Sequence, residues 1–231
     1  MTISVRKATQ QDLPGIARIC NTAFHPTTDT ISRRLFPLHL KPQDAVDGEA
    51  AHLWRAARKS ISMASERGIM MVAVDAASDG EIVGFSLWEI PETSLASVEA
   101  APKFPEPPAE LDQDAFAEVR SIANADITEL FGERGTKDVW REFPRLLYSN
   151  VYLTEADLDY LGVDPKHQRR GIGKLLLNWG LDCAANQGRD CYLIATPAGR
   201  PLYTASGFGD VRTVLFFGIP HYSMVLRQAW K

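Results

Sequence analysis

Apolar positions recur along the 231 residues at two spacings, and each spacing predicts elements. Residues 3–7 alternate like an edge strand. Thr9, with Asp12 three residues later, forms an approximate capping box and opens a helix. Leu13, Ile16, Ala17, Cys20 and Phe24 make its apolar face, and His25-Pro26 ends it. Pro42 suits a first helical turn. Val46, Ala50, Leu53, Trp54, Ala57 and Ile61 carry that second helix to near Gly68. Residues 69–74 and 81–90, joined by Ser78-Asp79-Gly80, read as a hairpin. Gly84 within it marks a bulge or a close backbone approach.

Residues 91–108 change character, with five prolines from Pro91 to Pro108, and read as a surface excursion. Phe116, Val119, Ile122, Ala123, Ile127 and Leu130 predict a helix, and residues 139–147 a shorter one around Pro144. Residues 158–163 are apolar enough for a buried strand, which Asp164-Pro165 stops. Ile172, Leu175, Leu176, Trp179 and Cys183 then fall at helical spacing, with Gly188 as the stop. Residues 190–195 read as a strand, 197–206 as a short helix ended by Gly207, and 211–217 with 221–226 as closing antiparallel strands.

The stretch between strand and helix, Gln168-Arg169-Arg170-Gly171-Ile172-Gly173-Lys174, carries the candidate chemistry. The first N–H groups of a helix lack internal partners, and the helix dipole is positive there. Glycines admit a large anion, and Arg169, Arg170 and Lys174 add charge, so the loop suits phosphate. It is not a Walker loop, since Leu175 follows Lys174 and Gln168 replaces the first Gly. Nor is it a dinucleotide fingerprint, because Leu176 stands where a third Gly is needed.

The loop matches the Gln/Arg-x-x-Gly-x-Gly/Ala pattern, and Tyr203-x-x-x-Gly207-Phe208 follows the next strand. In these motifs and their order the chain resembles the GNAT superfamily of N-acetyltransferases, strongly over its last third and weakly over residues 1–90. The resemblance implies an α/β (α+β) fold in one domain spanning 1–231, a mixed, mostly antiparallel central sheet flanked by helices. Strands at 157–163 and 190–195 would be parallel and splayed, since strand–helix–strand requires a crossover. Against a minimal acetyltransferase, residues 91–150 look like an insertion, either a roof over the acceptor or a brace.

The resemblance further implies acetyl-CoA as cosubstrate, with no metal. Backbone N–H groups from Gln168 to Lys174 would hold its pyrophosphate. Backbone groups of Leu161, Gly162 and Val163 would hold the pantetheine arm, the Val163 N–H facing the thioester oxygen. Tyr203 would give a proton to the leaving thiolate, as a phenol of ordinary pKa near ~10 can. Asp157 stands where some relatives place a Glu that deprotonates the amine, one methylene shorter; Glu155, Asp159 and His221 are substitutes, and a water chain is another route. The loop after the first helix often faces the acceptor, so Phe24, His25, Phe36 and His39 are substrate-side candidates. Direct attack in a ternary complex follows, since no Cys lies beside a His.

Composition narrows this little. A formal net charge of −4 argues against general nucleic-acid binding. Cys20, Cys183 and Cys191 are odd in number without metal-type spacing, which suggests free thiols in a reducing compartment. No run is long enough to span a bilayer, and the start does not read as a signal peptide. A cytoplasmic enzyme acting on a small primary amine is the expectation. Its rivals are a protein lysine or N-terminal acetyltransferase and a non-catalytic acyl-CoA-binding module. The late strands leave a homodimer open.

Overall fold

The computed structural model describes residues 3–46, 48–91, 106–132, 138–141 and 161–228. In order these form β1 (Ile3–Lys7), α1 (Leu13–Ala23), α2 (Thr30–Leu35), α3 (Glu49–Ala64), β2 (Gly68–Asp75), β3 (Glu81–Glu89) and α4 (Gln113–Phe131). There follow β4 (Trp140–Arg141), β5 (Leu161–Val163), α5 (Ile172–Asn186), β6 (Cys191–Ala195), α6 (Arg200–Thr204), β7 (Gly209–Phe216) and β8 (Ile219–Leu226).

The strands make one mixed sheet in the order β1-β2-β3-β4-β6-β8-β7, with β5 paired to β3 beside β4. All pairings among the described residues are antiparallel except β4 with β6. Both β4 and β5 run antiparallel to β3, and β6 runs parallel to β4, so β5 and β6 share a direction without pairing. That is the splayed arrangement expected for the strands at 161–163 and 191–195. Residues 157–160 lie outside the described residues.

Helices α1 to α4 cover one face of the sheet, with a core from Ile16 and Ile19 through Trp54, Phe85 and Phe116 to Phe216. Helix α5 covers the other face, packing Ile172, Leu176 and Leu177 on β2 and β3. Gly84 fits both readings made of it. It lies at the register shift between Ala73 and Val74, and a Cβ there would come 3.2 Å from the backbone carbonyl of Gly162 and 3.0 Å from the side chains of Ile172 and Leu176.

Four expectations need correction. A short helix, α2, stands in the loop after α1. Helix α3 starts at Glu49, leaving Val46 outside it, and Leu53 is exposed while Arg55, Arg58 and Lys59 are buried. Their long stems cover apolar surface, and their charges lie over the rings of Phe36, Trp54 and Phe85. Trp140 and Arg141 form a strand rather than a helix, because each is bridged to β6 and Arg141 also meets Glu89. On α5 the buried stripe is Ile172, Leu176, Leu177, Gly180 and Ala184; Leu175 faces solvent. Gly180 belongs to that stripe because the Trp88 ring lies where its Cβ would be, 2.0 Å away.

Candidate active site

The site begins where β5 stops. Asp164 accepts a hydrogen bond from the Lys166 N–H at 2.9 Å and caps a single turn, Pro165–His167. Its other oxygen holds the Arg18 guanidinium, which also donates to the Ile82 carbonyl at 2.7 Å. Burial of Asp164 opposes its ionised form, but the Lys166 N–H and Arg18 outweigh burial and keep the carboxyl below the usual range. The end of β5 is thereby tied to α1.

Arg169 (φ 62°) and Gly171 (φ 79°) then take left-handed backbone and swing the chain into α5. Gly171 is the N-cap, and no side chain caps the helix. Its carbonyl accepts the Leu175 N–H at 3.1 Å, so the earlier N–H groups of the turn have no acceptor within the helix. A Cβ on Gly171 would meet nothing within 4 Å, which leaves the approach to those groups open. Arg170 does not add its full charge there. It donates to buried Asp75 at 2.8 Å and to His167 Nδ1 at 2.7 Å, which anchors the loop to the end of β2. Arg169 and Lys174 are exposed and make no ion pair among the described residues.

Hydrogen-bond alternation fixes which way β5 points its backbone. The Asp164 N–H donates to the Val83 carbonyl, and Gly162 is opposite Phe85. In an antiparallel ladder the alternate residues, Leu161 and Val163, therefore turn their N–H and C=O groups away from β3. No strand among the described residues pairs that edge. Gly162 has no room for a side chain, since its Cβ would lie 2.7 Å from Phe85 and 3.3 Å from Ile19.

Gly173 is the meeting point. A Cβ there would lie 3.3 Å from Leu202, 3.6 Å from Leu161 and 3.9 Å from Val163. The phosphate-type loop, the edge of β5 and helix α6 thus converge on one residue without a side chain. Tyr203 follows Leu202 on α6 and is half-buried. The Tyr-x-x-x-Gly-Phe spacing has a local cause. Gly207 (φ 94°) turns the chain so that the Phe208 N–H donates to the Tyr203 carbonyl at 3.1 Å. The two rings then meet edge to face at 5.9 Å.

The structure therefore brings together Leu161, Gly162, Val163, the residues 168–174 and α6 with Tyr203. Asp157, Glu155 and Asp159 lie outside the described residues. His221 is buried on the opposite face of the sheet, its ring edge against Phe216 and its Nδ1 donating to the Ile219 carbonyl at 3.1 Å. His25 and Phe36 line a cavity beside α2, while His39 is exposed and Phe24 packs against the core. Sequence reasoning read Asp164 only as a strand stop and passed over Asp75 and Arg18, the groups that with it hold the loop and the strand end in place. Their partners are too distant in the chain for any local spacing to reveal them.

Residues 137–209, spanning β4 to α6, match the family model described as Acetyltransferase (GNAT) domain. No curated protein matches the chain in sequence. Among solved structures, one described as histone acetyltransferase HPA2 and related acetyltransferase, from Corynebacterium glutamicum, aligns with TM-score 0.55 and 23% identity over 100% of this chain and 99% of its own. The PaiA N-acetyltransferase of Thermoplasma acidophilum, solved in complex with coenzyme A, aligns with TM-score 0.52 and 13% identity over 99% of this chain and 100% of its own. A GCN5-related N-acetyltransferase from Kribbella flavida aligns with TM-score 0.50 and 17% identity over 98% of each chain. At these identities the likeness is one of fold. The chain has the GNAT fold, and residues 137–209, which include the loop, match the model of the GNAT domain. Among the described residues no helix is long and apolar enough to cross a membrane.

Proposed function

We propose that this protein is an acetyl-CoA-dependent N-acetyltransferase that acts on a primary amine of a small molecule by direct attack in a ternary complex. The carrying observation is the convergence at Gly173 of an open helix N-terminus, a strand edge that no described strand pairs and whose Val163 carbonyl takes only the Gln168 side chain at 3.2 Å, and the Tyr203 helix. On this reading the chain is one acetyltransferase domain, with residues 91–150 inserted into it.

Each chemical need has a group. The N–H groups of the first turn of α5, with Arg169 and Lys174, hold the pyrophosphate of coenzyme A. The outward backbone groups of Leu161 and Val163 take the pantetheine arm. The Val163 N–H stabilises the negative charge that develops on the carbonyl oxygen. Tyr203 donates its proton to the departing thiolate as the carbon–sulfur bond breaks. Asp157 is the proposed base that takes the proton from the ammonium, directly or through water. Asp75 and Asp164 act from behind, holding the loop and the strand end in register.

The test has two arms. Free thiol released from acetyl-CoA is measured against a panel of small amines and peptides. Release with small amines is expected; release only with peptides would assign a protein acceptor, and none with any amine would leave a binding module. In the second arm, Gly171→Asp places a carboxylate against the pyrophosphate, and calorimetry should show acetyl-CoA affinity lost by tenfold or more. Unchanged affinity in a folded variant would remove this loop from the site.

A further inference from the structure

Arg170 sits at the centre of the sharp turn that leads into α5. Arg169 before it and Gly171 after it both take left-handed backbone, at φ 62° and 79°. Glycine does so freely, but Arg169 has a side chain and needs its surroundings to hold it there. The side chain between them is the tether. Arg170 Nη2 donates to Asp75 Oδ2 at 2.8 Å, and Nη1 donates to His167 Nδ1 at 2.7 Å. Asp75 is buried at the end of β2, where its other oxygen accepts the Ala77 N–H at 3.0 Å. His167 closes the single turn that Asp164 caps. The guanidinium thus joins the end of β2 to the turn after β5, across the base of the loop.

One of these two bonds depends on a proton. A guanidinium can only donate, so Nδ1 of His167 must accept. An imidazole with a bare Nδ1 is neutral and carries its proton on Nε2. Once protonated, His167 would turn an N–H toward the N–H of Arg170 and set a second positive charge beside it. It would also compete for Asp75, whose Oδ2 is 3.9 Å from Nδ1. Among the described residues, Asp75, Arg170 and Asp164 are the charged groups that face the ring. Asp164 is already held by the Lys166 N–H and Arg18, and Glu81 pairs with Arg18 on the far side. Lys166 and Arg169, its neighbours along the chain, are exposed.

We propose that His167 is a positioning residue of the diphosphate loop: its neutral imidazole holds Arg170, and Arg170 so held keeps the turn from Arg169 to Gly171 in the shape that receives a diphosphate. Protonation of His167 releases that hold, so the loop binds its ligand less well in acid. This rests on the reading of the loop as the pyrophosphate site of coenzyme A. The sign is informative. A positive charge added beside the loop would by itself draw an anion more strongly. Weaker binding in acid therefore reports the lost tether and not the added charge.

Calorimetry with dephospho-coenzyme A tests it, at about pH 8 and about pH 5.5, the span over which an imidazole changes charge. This probe keeps the diphosphate and lacks the terminal phosphate monoester, which would itself titrate near pH ~6. Affinity should fall about threefold or more in acid. His167→Asn offers an amide oxygen near the place of Nδ1 that cannot be protonated, and should keep the higher affinity at both pH values. His167→Leu offers no acceptor and should show the lower affinity at both. The imidazole nitrogen shifts of the unaltered protein at about pH 8 should show a bare Nδ1 and a protonated Nε2. Equal or tighter binding in acid would overturn the proposal. So would acid weakening that persists in His167→Asn, a His167→Leu variant that binds as the unaltered protein does at the higher pH, or a proton on Nδ1 there. If the probe binds at neither pH, the pyrophosphate reading falls and this role with it. If it binds without weakening in acid, only the role of His167 falls.

Discussion

Tyr203 packs by its ring, which stands edge-on to Phe208, and the Phe208 N–H bonds to its backbone rather than its hydroxyl. Tyr203→Phe therefore keeps that packing and removes the proposed proton donor. We expect kcat to fall by about 10²–10⁴-fold, the usual worth of a general acid, with acetyl-CoA affinity nearly intact. Single-turnover rates are the measurement, because slow product release can mask a chemical defect. An unaltered rate would return Tyr203 to a packing role. His221 makes the opposite case. Burial pushes its pKa below the usual range, against the pull of the Ile219 carbonyl and of Asp29. The unfolded chain then binds a proton up to about pH 6.5 that the folded protein refuses, so stability rises with pH between the lowered folded value and about 6.5. Urea unfolding at pH 5 and pH 7 should show a smaller pH difference in His221→Phe than in the unaltered protein. At this scale the loop was legible and its anchors were not. Gly171 and Gly173 announce themselves because a backbone that meets an anion excludes side chains. Asp75 and Asp164 reach partners 95 and 146 residues away, and no window along the chain spans that.

Helix α5 was readable as a helix but not in its rotation. Its apolar residues run nearly all round, so spacing alone did not choose between Leu175, which is exposed, and Gly180, which is buried. Shape made the choice: a residue with no side chain lies under a tryptophan. Gly180→Ala would normally gain about 1 kcal/mol of helix propensity. Here the new methyl meets the Trp88 ring at 2.0 Å, so helix or ring must move. We expect a net loss of roughly 1–3 kcal/mol, seen as a lower urea midpoint. A midpoint at or above that of the unaltered protein would mean that α5 shifts without strain. Other elements were misread for physical reasons of their own. A two-residue strand has no periodicity to detect, and its neighbours on both sides create it. The buried cations of α3 resemble a solvated face until the rings they cover are known.

At the scale of the molecule, the order of elements carried the fold. A strand, a helix and a second strand in sequence require a crossover, and the crossover sets β5 and β6 in one direction. Their separation was an expectation of family likeness, and its physical statement is that β5 bonds only β3 while β4 stands between β3 and β6. That arrangement bears on how such a protein can diversify. Arg141 meets Glu89, and Leu161 meets Ser86 three rungs along the same strand. The chain thus leaves and rejoins one ladder at points about 10 Å apart. Both posts belong to the rigid frame, and the entropy of closing a loop between fixed posts grows only with the logarithm of its length, about 0.6 kcal/mol per doubling. A connection between two such posts can therefore change in length with little consequence for the frame, so natural selection can revise it repeatedly while the sheet around it stays unaltered.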